Sequence, residues 1–492
     1  MKIQFVFATP NNMPKYAELG EKVSPPLGIL YLAAYLREKI SGLELSAING
    51  PRKGYEYTLK KIKEFNPEVL CVSYYSVSAL GAYKLIDEIK EFNPNLIVIV
   101  GGHHVTALPG ESFEKSKTDL EVYSEGEVTL TEVIQEYKNK KDFKKIDFSK
   151  ILGVGYIEEG QLKITNQRPY IEDLNSMPYP ARDLIDMTEY DGWHISKQNP
   201  QARVIISRGC PYRCTFCSNK VWNRPGSKVR VRSPKNVADE FELLKNDYGI
   251  KEIFDDGDEL NNNIQNSIEI CNEIKRRNLG ITWKCQLRSS NLPEELIKAM
   301  AESGCWYVHL GIESGNQETL NGIKKGITLK QVEDACTLLA KYNIKVLGLF
   351  MLFNVWEENG VLKFEGVKET NNTLKYAKKL LKEKKISYIS SSHTNPFPGS
   401  ELYNIAIRHN LIRKNLIGNW DGWIRDDMYI MDLPGITEKE MARMRTKGNL
   451  IIAYQLFKTR DIHFKDFIFF FKKGLKLISD NTKALLNNFR SY

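Results

Sequence analysis

From residue 1 to about 140 the chain repeats one pattern: a short apolar run, a polar break, then a stretch with apolar residues every three or four positions. The short runs, at residues 3–8, 43–48, 68–74, 96–100 and 120–123, predict strands, and the longer ones, such as 27–39 and 79–92, predict helices. Strands alternating with helices predict a parallel, doubly wound (Rossmann-like) sheet over residues 1–140, with ligands held outside the carboxyl ends of its strands. The loops at those ends are residues 49–54, 74–78, 101–106 and 124–127. A second alternation runs over residues 201–400, with strands predicted at 204–207, 252–255, 281–286, 306–310, 346–352 and 386–391. Six strand–helix units predict a partial α/β barrel, whose sites lie at the C-terminal ends of strands. Between the two, residues 141–200 read as a linker with a hairpin at 151–165, turning at Glu159-Gly160, and a proline-rich stretch from Met177. Residues 401–492 read as a mostly helical C-terminal domain.

A length of 492 residues accommodates two or three domains with full cores, and 42% hydrophobic with 27% charged residues is ordinary for a globular protein. A net charge of +9 is modest at this length; it suits anionic cofactors or a membrane surface and leaves no footprint for nucleic acid. Eight Cys, three of them clustered, are not a secreted disulfide framework and fit a reducing cytoplasm. The first residues alternate like a strand and lack the features of a signal peptide, and no run reaches the ~18 apolar residues that span a bilayer. The expected location is therefore cytoplasmic. The aromatic and basic segment 464–473 leaves two readings open: a helix packed over the barrel, or contact with a membrane surface or lipid-like substrate.

The chemistry starts at Cys210, Cys214 and Cys217, in the run Ser-Arg-Gly-Cys-Pro-Tyr-Arg-Cys-Thr-Phe-Cys. Three thiolates spaced C-x3-C-x2-C on one loop hold a soft metal or an iron–sulfur cluster. A cubane cluster normally takes four cysteines, so three leave one iron open to a substrate. A structural zinc site needs four closed ligands, and the next Cys or His after Cys217 is Cys271, in a predicted helix. An incidental trio of buried thiols is the other alternative.

The run resembles the cluster loop of the radical S-adenosylmethionine (SAM) superfamily. The resemblance implies a 4Fe-4S cluster on Cys210, Cys214 and Cys217, whose open iron chelates the amino and carboxylate groups of SAM. Its electron cleaves SAM to a 5′-deoxyadenosyl radical, and a reductant such as flavodoxin or ferredoxin is the implied partner. Phe216 matches the aromatic position that contacts adenine. Asp255 and Asp256 end the second barrel strand, where acids are suited to the SAM ammonium; solvated loop carboxylates or a helix cap are the alternative. Arg288 ends the third strand, suited to a bidentate carboxylate pair or to a structural ion pair. Gly311-Ile-Glu313-Ser314-Gly315 ends the fourth and is similar to the SAM-binding segment, with Glu313 and Ser314 at the ribose hydroxyls. Lys325-Gly326 and Pro396-Phe-Pro-Gly399-Ser400 are similar to further landmarks. Cys285, like Cys71, reads as a core thiol, yet its place near the barrel mouth makes it the one candidate catalytic cysteine. After the fifth strand, where relatives commonly carry a Gly-Pro-Gly-Glu-like run, the chain reads Phe353-Asn-Val-Trp356-Glu-Glu-Asn. That departure leaves the SAM contact of this strand open and sets a tryptophan near the substrate.

The N-terminal domain resembles the cobalamin-binding domain that precedes the barrel in one large subgroup. The resemblance rests on Pro25-Pro26-Leu27-Gly28, on Gly101-Gly102-His103 with Thr106-Ala-Leu-Pro109, and on Glu125-Gly126-Glu127. It implies cobalamin contacts at Asn49, Gly54, Ser76, Gly101, Gly102, His103, Glu125 and Gly126. Domains that ligate cobalt carry Asp-x-His-x-x-Gly after the second strand; here the matching run is Asn49-Gly-Pro51-Arg-Lys-Gly54. Proline has no side-chain lone pair, so no lower histidine ligand is expected from this loop. His103 and the adjacent His104 read as satisfied loop histidines.

Together these resemblances imply a cobalamin-dependent radical SAM enzyme, first of all a methyltransferase acting on an unactivated carbon of a small-molecule or lipid-like substrate. In that scheme one SAM methylates cobalamin, a second yields the radical that removes hydrogen from the substrate, and the carbon radical takes the methyl group. Ring formation, oxidation or rearrangement with the same cofactors is the alternative, as is a radical SAM enzyme without cobalamin. The intact cysteine loop stands against a non-catalytic corrinoid sensor. A methylthiotransferase would need a second cysteine trio in the N-terminal region, where only Cys71 lies.

Overall fold

The computed structural model describes residues 1–11, 24–190, 195–221, 228–424 and 429–459; the segment 464–473 lies outside them. The N-terminal sheet comprises β1 (Lys2–Phe7), β2 (Glu44–Asn49), β3 (Val69–Ser73), β4 (Ile97–Gly101), β5 (Leu120–Val122), β6 (Val154–Glu158) and β7 (Gln161–Ile164). Their order is β2-β1-β3-β4-β5-β6-β7. The first five are parallel, and β1, β3 and β4 are nearly continuous apolar runs because helices cover both faces. The helices Leu27–Lys39 and Ala79–Phe92 have the expected bounds. Strand order reverses between β1 and β3, which opens a crevice at their carboxyl ends.

The hairpin read as part of a linker instead extends this sheet. β6 pairs antiparallel with β5 and buries Val154 and Tyr156, and Glu159 and Gly160 at its turn both have positive φ. The three-residue β5 would otherwise leave an open sheet edge.

The second half begins with β8 (Gln201–Val204), β9 (Ser207–Arg208) and β10 (Arg230–Val231). It continues with β11 (Glu252–Asp255), β12 (Thr282–Leu287), β13 (Cys305–Glu313), β14 (Lys345–Leu352), β15 (Val355–Glu358), β16 (Val361–Phe364) and β17 (Tyr388–His393). Six of these form an all-parallel sheet in the order β17-β14-β13-β12-β11-β8, the winding of a partial barrel. Alternation along the strands sends Val204, Ile253, Cys285, Val308 and Val346 into the core beneath the helices. Arg203, Phe254, Lys284 and His309 line the interior. Cys285 is thus fully buried among core residues that include Cys271 and Cys305, and burial raises its thiol pKa. This corrects the expectation of a thiol near the mouth: an odd–even step along β12 decides the face.

The departure after the fifth strand is a short antiparallel hairpin, β15–β16. Trp356 is buried in it, against Gly322, where a Cβ would come within 2.5 Å of three indole atoms. The tryptophan expected near the substrate is a packing residue. The described part of the C-terminal domain ends in the helix Glu438–Thr459. Trp420 and Trp423 share one apolar core with Val6 and Val72 of the N-terminal sheet and Leu352 of the barrel. That shared core fixes the two sheets to each other. No helix among the described residues is long and apolar enough to cross a membrane.

Candidate active site

The cysteine loop leaves the barrel after β9, and Gly209 (φ +101°) makes the bend just before Cys210. Gly209 N–H donates to Asp258 Oδ2 (2.7 Å), Thr215 N–H donates to the Ile323 carbonyl (2.9 Å), and the Thr215 carbonyl accepts from Leu402 N–H (2.8 Å). Three elements of the fold therefore hold the loop. Cys214 is buried, and Cys210 and Cys217 are half-buried. Arg288 Nη1 lies 4.0 Å from the Cys214 sulfur, and its guanidinium sits 3.5 Å from the centre of the Tyr212 ring. Burial, with Glu259 and Asp258 nearby, pushes the Cys210 thiol up to about 12. Among the described residues no three His, Cys, Asp or Glu side chains converge on a point that would take one metal ion.

Around this loop the barrel ends bring several predicted residues together and commit others to the frame. Arg288 is locked through its backbone, which exchanges hydrogen bonds with the Asn261 amide, and through Nε, which donates to Ser290 Oγ (2.9 Å). Among the described residues its buried Nη2 has no acceptor, and the buried Glu259 Oε2 has no donor. Lys325 is buried against Glu313 (2.9 Å), itself in left-handed backbone (φ +66°), and its ammonium lies 5.9 Å from the Phe216 ring centre. A spare donor on Arg288 and a spare acceptor on Glu259, beside three thiols, match the carboxylate and ammonium of an amino acid. Glu259 was not singled out from sequence: in Asp255-Asp256-Gly-Asp258-Glu259 nothing reveals which acids the fold has already used.

The fold has used the others. Asp256 accepts two hydrogen bonds from Arg203 Nη1 (2.7 and 2.8 Å), and Ser314 donates to Glu365 (2.5 Å) on the helix side of the barrel. Asp255 Oδ1 accepts from Ile206 N–H (3.1 Å) and Gly257 N–H (2.9 Å), which ties β11 to the approach of the cysteine loop. Burial pushes the Asp255 carboxyl up to about 7, from an ordinary 3.8. A carboxyl raised in the folded state costs stability as pH climbs from the unfolded value to the folded one, and the cost is constant above. Asp255→Asn keeps the acceptor and removes the charge. It is expected to raise the melting temperature by several degrees at pH 8 and by nothing at about pH 3, below both pKa values, read from thermal melts.

A cavity of about 650 Å³ separates the two sheets, with the carboxyl ends of β1, β3 and β4 on one side and Arg203, Asp256 and Gly209 on the other. Gly101, Gly102, His103, Glu125 and Gly126 line it, and burial pushes the His103 imidazole down to about 4, so it is neutral. The cavity continues as an apolar slot past Phe5, Cys71 and Ile99 in mid-strand, beneath Ile29 and Leu130. Gly28 lines it too, and no heavy atom stands within 4 Å of where its Cβ would be. Open backbone and an apolar slot fit a large ring with an appended tail.

Three predicted contacts lie elsewhere. Asn49 donates to the Ser24 carbonyl (3.2 Å) and Tyr190 OH (3.1 Å) and borders a separate cavity of about 450 Å³. Gly54 (φ +89°) precedes the helix Tyr55–Phe65. β2 is the sheet's edge, one strand away from the β1–β3 crevice, so its loop misses the main cavity. Ser76 is held by His104 Nδ1 (2.9 Å), whose Nε2 meets Tyr83 OH (3.2 Å).

Similarity to known proteins agrees with this geometry. Residues 204–364 match the radical SAM superfamily domain, and residues 20–134 match the B12 binding domain. An uncharacterised methyltransferase of Pyrococcus horikoshii is 32% identical over 427 residues, 86% of each chain. The chain belongs to the radical SAM superfamily, in its B12-binding group. Among other relatives, an anaerobic magnesium-protoporphyrin IX monomethyl ester cyclase of Rubrivivax gelatinosus is 26% identical, over 79% of this chain and 68% of its own. The fold is that of a radical SAM methyltransferase of Kitasatospora setae solved with cobalamin and a 4Fe-4S cluster: TM-score 0.64 at 17% identity, covering 84% of this chain and 79% of that one.

Proposed function

We propose that this radical SAM enzyme is a cobalamin-dependent methyltransferase that adds a methyl group to an unactivated carbon of a small-molecule or lipid-like substrate. The observation that carries the reading is the cavity between the sheets: Arg208 and Gly209, at the base of the cysteine loop, line it together with the apolar slot of the B12-binding domain. When bound, the cluster with SAM supplies a radical able to remove hydrogen, and cobalamin supplies a transferable methyl group.

The chain's own residues bind and orient. Cys210, Cys214 and Cys217 hold the iron. Arg288 receives the SAM carboxylate on its spare Nη2, and Glu259 takes the ammonium on its spare oxygen. Phe216 packs on the adenine, and Glu313, kept ionised by Lys325, accepts from the ribose hydroxyls. Asp255, Asp256 and Ser314 act on the frame. The corrin would be held by Gly101, Gly102 and His103, and residues 49–54 offer it no histidine. An outside one-electron donor of the flavodoxin or ferredoxin type reduces the cluster. A site between the two sheets would hold the reactants near one another.

The relatives support methyl transfer and ring formation alike, and an isotope separates them. The loaded enzyme is incubated anaerobically with reductant, SAM carrying a trideuterated methyl group, and deproteinised metabolite and lipid extracts. The expected product carries one labelled methyl group, with one S-adenosylhomocysteine and one 5′-deoxyadenosine formed per turnover. Deoxyadenosine with no labelled product would favour the ring-forming alternative.

A further inference from the structure

The three cysteines lie on an excursion that begins directly after β9, and β9 pairs with β10 in a two-residue ladder. In that ladder Arg208 stands directly opposite Arg230. Like charges facing each other across an antiparallel pair repel, and two paired residues do little to offset this. The compensation comes from the other domain. Glu125 sits between the guanidiniums, with Oε1 3.3 Å from Arg208 Nη1 and 2.8 Å from Arg230 Nη2, and Oε2 2.9 Å from Arg230 Nη1. Glu127 takes the other arm of Arg208 (2.7 Å). Glu125 Oε2 also accepts from Ile171 N–H (3.0 Å), and Arg230 donates to the Ile171 carbonyl (2.8 Å). The four side chains are between 6% and 17% exposed, so the attraction is little screened.

The same Glu125-Gly126-Glu127 run is a lip of the cavity and opens the helix Glu127–Lys140. One set of carboxylates therefore closes the base of the cysteine excursion and shapes the wall of the slot. We propose that Glu125, with Glu127, is a positioning residue that couples corrin binding to the state of the cysteine loop. A loop ordered by its cluster draws Arg208 and Arg230 together and fixes Glu125, and the lip is then set for the corrin; a loop without cluster leaves the lip loose. Coupling is reciprocal, so bound corrin also retains the cluster. The inference rests on the reading that the cavity takes a corrin.

The test is a visible-absorption titration with hydroxocobalamin under anaerobic conditions, on cluster-free protein and on protein reconstituted with iron and sulfide. The wild type is expected to bind about tenfold more tightly with its cluster than without. In Glu125→Gln, which takes the carboxylate from Arg230 and leaves Arg208 with Glu127 alone, that ratio falls to about one. Glu127→Gln removes a single bond and gives an intermediate ratio, and it stands in for Glu125→Gln if that variant does not fold. A wild-type ratio of one, or a ratio unchanged in either variant, overturns the coupling and leaves the proposed function standing. Failure of the cluster-loaded wild type to bind hydroxocobalamin at all would overturn both.

Discussion

Replacing Cys214 by alanine is expected to abolish reductive cleavage of SAM, with 5′-deoxyadenosine formation falling at least about a thousandfold. Cys214 is the most buried of the three cysteines and lies on the segment that Ile323 and Leu402 pin from two sides. Its loss leaves two thiolates, too few to hold a cubane, and removes the sulfur beside which Arg288 is fixed. The reconstituted variant should lack the broad visible absorption of the cluster while keeping its far-UV circular dichroism. Cys271→Ala is the control: that thiol is still more deeply buried, but in the core beneath the barrel helices, and its loss should leave cluster and cleavage intact. Cleavage that persists in Cys214→Ala would remove the loop from the chemistry.

Glu259→Gln is expected to weaken SAM binding by about 30-fold or more, the usual effect of cutting one partner from a buried, hydrogen-bonded charge pair. The same substitution should stabilise the protein without SAM. Burial holds the Glu259 carboxyl above its ordinary range although Lys325 and Arg288 pull it down, and one of its oxygens has no donor among the described residues. Because the folded pKa is the raised one, the ionised side chain costs stability at neutral pH, and glutamine removes that cost. Tighter folding with weaker ligand is the signature of a group held strained for a ligand. A structural carboxylate would lose both. Equilibrium dialysis with SAM on cluster-loaded protein, beside thermal melts at pH 7.5, reads the two effects separately, and unchanged SAM affinity would exclude Glu259 from the site.

Elements with strong periodicity were legible from sequence. The helices at 27–39 and 79–92 and five of the six barrel strands follow from apolar spacing alone, because burial of one face writes that spacing; the first, expected at 204–207, lies instead at Gln201–Val204. The hairpin β15–β16 was not: its strands have four residues each, and Phe353-Asn-Val-Trp356 reads as loop until Gly322 is seen to leave room for the indole. At the site, the cysteines and Arg288 were readable because their residue types and positions at strand ends are unusual. The division of labour within Asp255-Asp256-Gly-Asp258-Glu259 was not. It depends on Arg203, 53 residues away from Asp256, and on which oxygen finds a backbone donor. The ladder of Arg208 against Arg230, and the carboxylates from the other domain between them, arise only once two sheets distant in sequence share a core.

The central claim is that one chain brings an iron–sulfur cluster and a corrin to a common cavity. Elemental analysis of protein reconstituted anaerobically with iron, sulfide and hydroxocobalamin, then freed of unbound cofactor, tests it most directly. The account predicts about four iron atoms and about one cobalt atom per chain. Zinc in place of iron, or iron without cobalt, would contradict it.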